Sequence, residues 1–176
     1  MKSIAVYCGA SLGADPLYAD AARGLARALV DHNIGLVYGG GKVGLMGVIA
    51  DEVLRLGGEA TGVIPKHLVE REVGHAGLTR LFVVKDMHER KAMMSDLAEG
   101  FIAMPGGMGT LEELFETITW AQLGIHAKPI GLLDAAGFWD PFAVLVEHLR
   151  TAGFLRVDPG EILRDDDAER LVGRVV

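Results

Sequence analysis

Pro105-Gly106-Gly107-Met108-Gly109-Thr110-Leu111-Glu112-Glu113 brings the parts of an anion site and a candidate base together in one short stretch. The run before it, Gly100 to Met104, is apolar and reads as a buried strand, and Leu111, Leu114, Phe115 and Ile118 then recur at helical spacing. Glycines at 106, 107 and 109 permit a tight turn and let a ligand approach the main chain. The N–H groups of the turn and of the helix start converge where partial positive charge favours phosphate or carboxylate. Glu112 and Glu113 stand beside that point. Adjacent helical residues cannot flank a scissile bond in the way paired glycosidase carboxylates do, so these two are not an acid/base pair. Thr110-Leu111-Glu112-Glu113 also has capping-box spacing, with Glu113 folding back onto the Thr110 backbone. The three glycines and Arg90 weigh toward a site: Arg90 lies one turn before Met94 on another helix, so guanidinium and thioether share a face.

Other motifs are weaker. Gly39-Gly40-Gly41-Lys42-Val43-Gly44 matches GxGxxG in form, but it follows the second strand, and Glu59 opens a strand where a ribose-binding acid should close one. A triphosphate loop is excluded too, because Val43 stands where Ser or Thr is required. These glycines either allow tight strand-to-helix packing or line a cleft, and Gly41 and Gly44 are candidates for the latter. Gly9-Ala10-Ser11-Leu12-Gly13 matches the GxSxG elbow, yet too few residues precede it to build that fold's earlier strands. Ser11 stays as a ligand hydrogen-bonding candidate. Cys8 reads as a small buried apolar residue. Six histidines, at 32, 67, 75, 88, 126 and 148, show no metal-ligand spacing, so no metal site is expected.

The elements that must position these residues alternate strand and helix. Strands are predicted at Ile4 to Cys8, Leu36 to Tyr38, Ala60 to Ile64, Leu81 to Val84, Gly100 to Met104 and Pro129 to Leu133. Helices follow: one capped by Asp15 with Pro16 at its first position and running to about His32, then Leu45 to Leu56, one opened by a capping box at Asp86-Met87-His88-Glu89, one from about Leu111, and Phe138 to about Arg150. A polar loop runs from Pro65 to about Thr79, and the tail from Leu155 adds one short helix near Ala168 to Val172. The fold expected is α/β, a Rossmann-like doubly wound parallel sheet with helices on both faces, in one domain over residues 1–176. Every glycine-rich or charged loop follows a strand, so the loops share one sheet edge, where such folds bind ligands.

Composition narrows the partners. The 176 residues carry a formal charge of −7, which argues against nucleic acid as the main partner. A single cysteine fits a reducing compartment, and no apolar run has membrane-spanning length, so a soluble cytoplasmic protein without membrane contact is expected.

With Gly39-Gly40-Gly41-x-x-Gly44-Leu45-Met46-Gly47, Met87-His88-Glu89-Arg90-Lys91 and Pro105-Gly106-Gly107-x-Gly109-Thr110-x-x-Glu113, the chain resembles the Lonely Guy family of cytokinin riboside 5′-monophosphate phosphoribohydrolases. The similarity continues through Thr119 to His126 and Lys128 to Leu133, and so covers most of the chain. The resemblance implies hydrolysis of the N-glycosidic bond of an N6-modified adenosine 5′-monophosphate, with no cofactor, by a homodimer. It assigns Glu113 as the catalytic carboxylate and Arg90 as its partner, positioning ribose or Glu113. The 5′-phosphate would rest on Gly106, Gly107, Met108, Gly109 and Thr110, with Glu112, Lys91 and Thr119 as substrate contacts and Met94, Ser11, Gly41 and Gly44 as further binding candidates. Some relatives carry a lysine decarboxylase label, but no lysine here has the surroundings of a pyridoxal phosphate site. Two alternatives stand beside this reading: a non-catalytic carrier of a nucleotide or other phosphate-bearing ligand, and a general AMP nucleosidase. Apolar surface on the Met87 to Leu97 helix, where Met93 adjoins Met94, is the sequence feature that fits a dimer.

Overall fold

Short apolar runs closed by glycine or proline become strands, and the longer amphipathic segments between them become helices. The computed structural model describes residues 1–69, 74–155 and 162–176. Its strands are β1 (Ser3–Tyr7), β2 (Gly35–Tyr38), β3 (Ala60–Pro65), β4 (Arg80–Val84), β5 (Gly100–Ala103), β6 (Ile130–Leu133) and β7 (Leu163–Asp165). Its helices are α1 (Leu17–Asp31), α2 (Gly44–Arg55), α3 (Met87–Leu97), α4 (Met108–Gln122), α5 (Asp140–Thr151) and α6 (Ala168–Val175). All strand pairings are parallel, in the order β4-β3-β2-β1-β5-β6-β7.

Strand alternation splits the core in two, because neighbouring residues point to opposite faces. Ile4 and Val6 of β1 face a cluster with α1, α2 and α6, whereas Ala5 and Tyr7 face one with Met94 of α3, Leu114 and Ile118 of α4, and Trp139. This is the doubly wound arrangement expected. Strand order reverses between β1 and β5, so the loops after these strands part there and leave a crevice.

Several local expectations need correction. The tail contributes a strand, β7, as well as a helix, and it joins the sheet beside β6. Arg164 of β7 pairs with Asp134 and Asp140, a cross-connection with no local sequence signal. Pro16 is the N-cap of α1, and Asp15 Oδ1 accepts from the Leu17 N–H at 2.9 Å. Half of the box at α3 forms as expected, Asp86 accepting from the Glu89 N–H at 3.0 Å, but Glu89 reaches back to the Lys85 N–H, one residue earlier. Residues 70–73 of the expected polar loop and 156–161 of the tail lie outside the described residues. Among the described residues no helix is long and apolar enough to cross a membrane.

Candidate active site

Gly107 is the N-cap of α4, so Met108, Gly109 and Thr110 form its first turn. Their N–H groups have no carbonyl four residues back within the helix and open toward the crevice. Thr110 therefore lies inside the helix and is not a cap, which overturns the capping-box reading of Thr110 to Glu113. Glu113 stands nearly two turns in, at the C-terminal edge of the sheet, where its side chain is 10% exposed.

Arg90 arrives from α3 on the other side of the crevice. It is 6% exposed and held at several points, with Nε donating to the Val63 carbonyl at 3.1 Å and Nη2 to the Gly39 carbonyl at 3.3 Å. Its Nη1 stands 3.6 Å from Glu113 Oε1. A buried guanidinium and carboxylate at that separation offset each other's desolvation, and a cation fixed by backbone carbonyls is preorganised.

These residues line a cavity of about 380 Å³, within the range of small-molecule sites. Arg90, Glu113 and Thr110 supply polar groups, together with Ser11 on the β1–α1 loop. Val6, Cys8, Ala10 and Met46 supply apolar wall, and Gly107, Met108 and Gly109 bring the start of α4 to the cavity. Met108 is 84% exposed at the mouth. Burial, with Glu113 adding to it and Arg90 opposing, pushes the Cys8 thiol well above its ordinary value, so this wall residue is not a thiolate.

Not every expected contact is in the cavity lining. Gly106 sits just beneath, so close to Thr110 that a methyl group there would meet its Oγ1. Gly44 has φ +61° and passes against the Ala10 backbone, where a Cβ would come within 2.3 Å; it joins two loops and contributes no wall. Gly41 turns its carbonyl to the Tyr38 hydroxyl, and Met94 is buried in the core below Arg90. Thr119, six residues past Glu113, faces another way and donates to the Phe115 carbonyl. Lys91 and Glu112 meet each other at the seam between α3 and α4, outside the lining, with Glu116 3.0 Å from the Lys91 ammonium. Burial lowers the Lys91 pKa, but the two carboxylates outweigh it and hold it above the ordinary value.

Sequence reading missed the wall made by Val6, Ala10 and Met46 and treated Cys8 as core only. Their place at the C-terminal edge of β1 and the start of α2 was the available signal. It also missed the support behind Glu113. Thr117 Oγ1 donates to the Glu113 carbonyl at 2.9 Å, so the Tyr7 hydroxyl, 2.9 Å away, must donate to Thr117.

No group of three or more His, Cys, Asp or Glu that could hold a metal ion is found among the described residues. No lysine is among the described residues lining the cavity, so the site offers no amine for a pyridoxal phosphate Schiff base.

Fold and site define a Rossmann-like α/β protein with the start of a helix and a buried Arg–Glu pair lining a crevice at the topological switch point. Residues 46–173 match the family model described as "Possible lysine decarboxylase". The chain is 49% identical to the cytokinin riboside 5′-monophosphate phosphoribohydrolase LOG of Oryza sativa subsp. japonica, over 92% of this chain and 67% of that protein. It is 46% identical to the cytokinin riboside 5′-monophosphate phosphoribohydrolase of Rhodococcoides fascians, over 88% of this chain and 78% of that one. Among solved structures it is similar to the molybdenum cofactor binding protein from Rippkaea orientalis, with TM-score 0.72, 16% identity, and coverage of 99% of this chain and 96% of that one. The molybdenum cofactor carrier protein from Chlamydomonas reinhardtii gives TM-score 0.71 and 18% identity, covering 99% and 95%. At such identities the likeness concerns the fold alone. The chain belongs to the LOG family of cytokinin riboside 5′-monophosphate phosphoribohydrolases.

Proposed function

We propose that this protein, as one nucleotide-binding hydrolase domain over residues 1–176, hydrolyses the N-glycosidic bond of N6-modified adenosine 5′-monophosphates, releasing free base and ribose 5-phosphate. The observation that carries the reading is the buried pair of Arg90 and Glu113, 3.6 Å apart beside the anion-binding turn of α4. Membership of the phosphoribohydrolase family supports the same reaction.

The 5′-phosphate rests on the first N–H groups of α4, which fixes the distance from phosphate to ribose and brings C1′ toward Glu113. As the C1′–N bond breaks, its electron pair leaves with the base and the ribose becomes oxocarbenium-like. The Glu113 carboxylate stabilises that cation and takes a proton from the attacking water, while a proton from the medium reaches the departing base. Arg90 holds Glu113 and the ribose in register. Glu112 and Lys91 act from the helix seam.

The protein works as a homodimer. Leu123 and Ile125 at the end of α4, and Val144 on α5, are exposed apolar residues, and the rings of Phe115 and Phe142 join these helices at 5.6 Å. A second copy covering these exposed apolar side chains would take them out of water. The free buried thiol of Cys8 fits a cytoplasmic location.

Incubating the protein with AMP and with its N6-isopentenyl analogue, then quantifying free base, tests the proposal. Release from the modified nucleotide is expected to be faster. Equal release would assign a general AMP nucleosidase, and no release from either would overturn the hydrolase reading.

A further inference from the structure

Consecutive carbonyl oxygens in the loop after β2 are each held from a different part of the chain. The Gly39 oxygen accepts from Arg90 Nη2 at 3.3 Å, the Gly40 oxygen from the His75 N–H at 3.0 Å, and the Gly41 oxygen from the Tyr38 hydroxyl at 3.1 Å. The first bond belongs to the site. The second comes from the segment between β3 and β4, which also meets the glycine loop through an antiparallel bridge between Gly41 and Gly74.

The His75 side chain ties the stretch from Gly74 to Gly77 to a helix. It is only 3% exposed, and both ring nitrogens are used. Nδ1 faces the Gly77 N–H at 3.1 Å and must accept from it, so Nε2 carries the proton and donates to Asp51 Oδ1 of α2 at 2.8 Å. One imidazole thus ties its own loop to the helix that begins where the glycine loop ends. The glycine loop is thereby clamped between the His75 main chain and the Arg90 guanidinium. Gly40 has φ +77°, and a glycine peptide released from one side has other conformations within reach.

We propose that His75, seated by Asp51, is a positioning residue for the hydrolysis: it holds the loop so that the Gly39 carbonyl faces Arg90 and keeps the guanidinium against Glu113. The inference rests on the proposed function above. Without the strap the Gly40 carbonyl loses its donor, the Gly39 peptide can rotate, and Arg90 keeps only its Nε bond to Val63 among these backbone anchors. Displacements of this size beside the reacting bond reduce turnover more than they reduce ligand binding.

The test compares wild type with His75→Ala, Asp51→Ala and His75→Gln in two measurements: amide hydrogen exchange along the chain, and steady-state cleavage of the N6-isopentenyl nucleotide. Asp51 lies on an exposed part of α2, so its variant folds even if His75→Ala does not. His75→Gln keeps an N–H able to reach Asp51. Both alanine variants are expected to speed exchange across residues 39–44 while β1 and β5 stay protected, and to lower kcat about tenfold with KM within about twofold. The glutamine variant is expected to recover most of both losses. Unchanged exchange in residues 39–44, unchanged kcat, or a uniform loss of protection across the sheet overturns the proposal. A wild type inert toward the nucleotide sinks the hydrolase reading alone, and the exchange comparison still decides the strap.

Discussion

A methyl group on Gly39 would stand 1.9 Å from Nη2 of Arg90. The backbone just after β2 and the Arg90 guanidinium therefore share a space that admits no side chain, and Met46 closes the other side at 3.2 Å. Gly39→Ala is expected to lower kcat on the order of 10²-fold by moving Arg90. Stability should fall by roughly 1–3 kcal/mol from overpacking. Kinetics and urea midpoints on the same preparation check this, and near-normal turnover would show that Arg90 can act from elsewhere.

Glu113→Gln keeps the shape of the side chain but neither takes a proton nor stabilises a cationic ribose. Turnover should drop at least about 10²-fold with nucleotide affinity nearly unchanged. Single-turnover cleavage and equilibrium binding separate the outcomes. Full activity would remove Glu113 from the chemistry; a ligand carrier would bind nucleotide without cleaving it even as wild type.

Anchoring at a remote phosphate predisposes the glycosidic bond, so the 5′-monophosphate should exceed its nucleoside in kcat/KM by on the order of 10²-fold or more. Comparable values would take the α4 turn out of the mechanism. Turnover is also expected to persist in EDTA, since the proposed step draws on a carboxylate and a guanidinium.

His126 gives stability a pH dependence. Lys128 N–H donates to its Nδ1 at 3.2 Å, so Nε2 donates to the Thr117 carbonyl at 3.1 Å. Burial, opposed by the Thr117 bond and reinforced by Lys128, lowers the imidazole pKa in the folded protein. The unfolded chain therefore binds the proton more readily, and this stabilisation is present above the ordinary histidine pKa of about 6.5 and lost as pH falls through the depressed value. Urea midpoints should decline from about pH 7.5 toward 5, with a shallower slope in His126→Gln. Identical slopes would rule the ring out as a contributor.

Light scattering at micromolar concentration should return a dimeric mass. Val144→Glu, placed on the exposed apolar face of α5, should shift it toward monomer without loss of fold. A monomeric wild type would leave Leu123, Ile125 and Val144 without the partner assigned to them.

Most of the fold was legible because β1 to β6 are short, largely apolar runs, most with a glycine or proline close to one end, signals that are local. β7 was not, since Leu163 to Asp165 is a three-residue strand whose partners, the β6 backbone and Asp134 and Asp140 of Arg164's ion pairs, lie far back along the chain. The site divides in the same way. Gly107, Thr110 and Glu113 announce themselves by spacing on one helix. The strap through His75 and Asp51, and the prop from Tyr7 through Thr117, are long-range hydrogen bonds with no periodicity to betray them. Lys91 and Glu112 each adjoin a cavity residue in sequence, yet one helical step turns the side chain by about 100°, which is why both stand at the helix seam outside the lining.

That step has a wider consequence. Arg90 meets Glu113 inside the crevice, and their neighbours Lys91 and Glu112 meet outside it, so α3 and α4 are riveted together at two points on different sides. A double mount removes the rotation that a single bond would leave. The Arg90–Glu113 pair is thus a fixed part of the frame, whereas Met108 at the entrance is exposed to solvent. A change of side chain at that exposed entrance leaves the mount of α3 on α4 in place, so the rim of the crevice is free to vary while its floor is not.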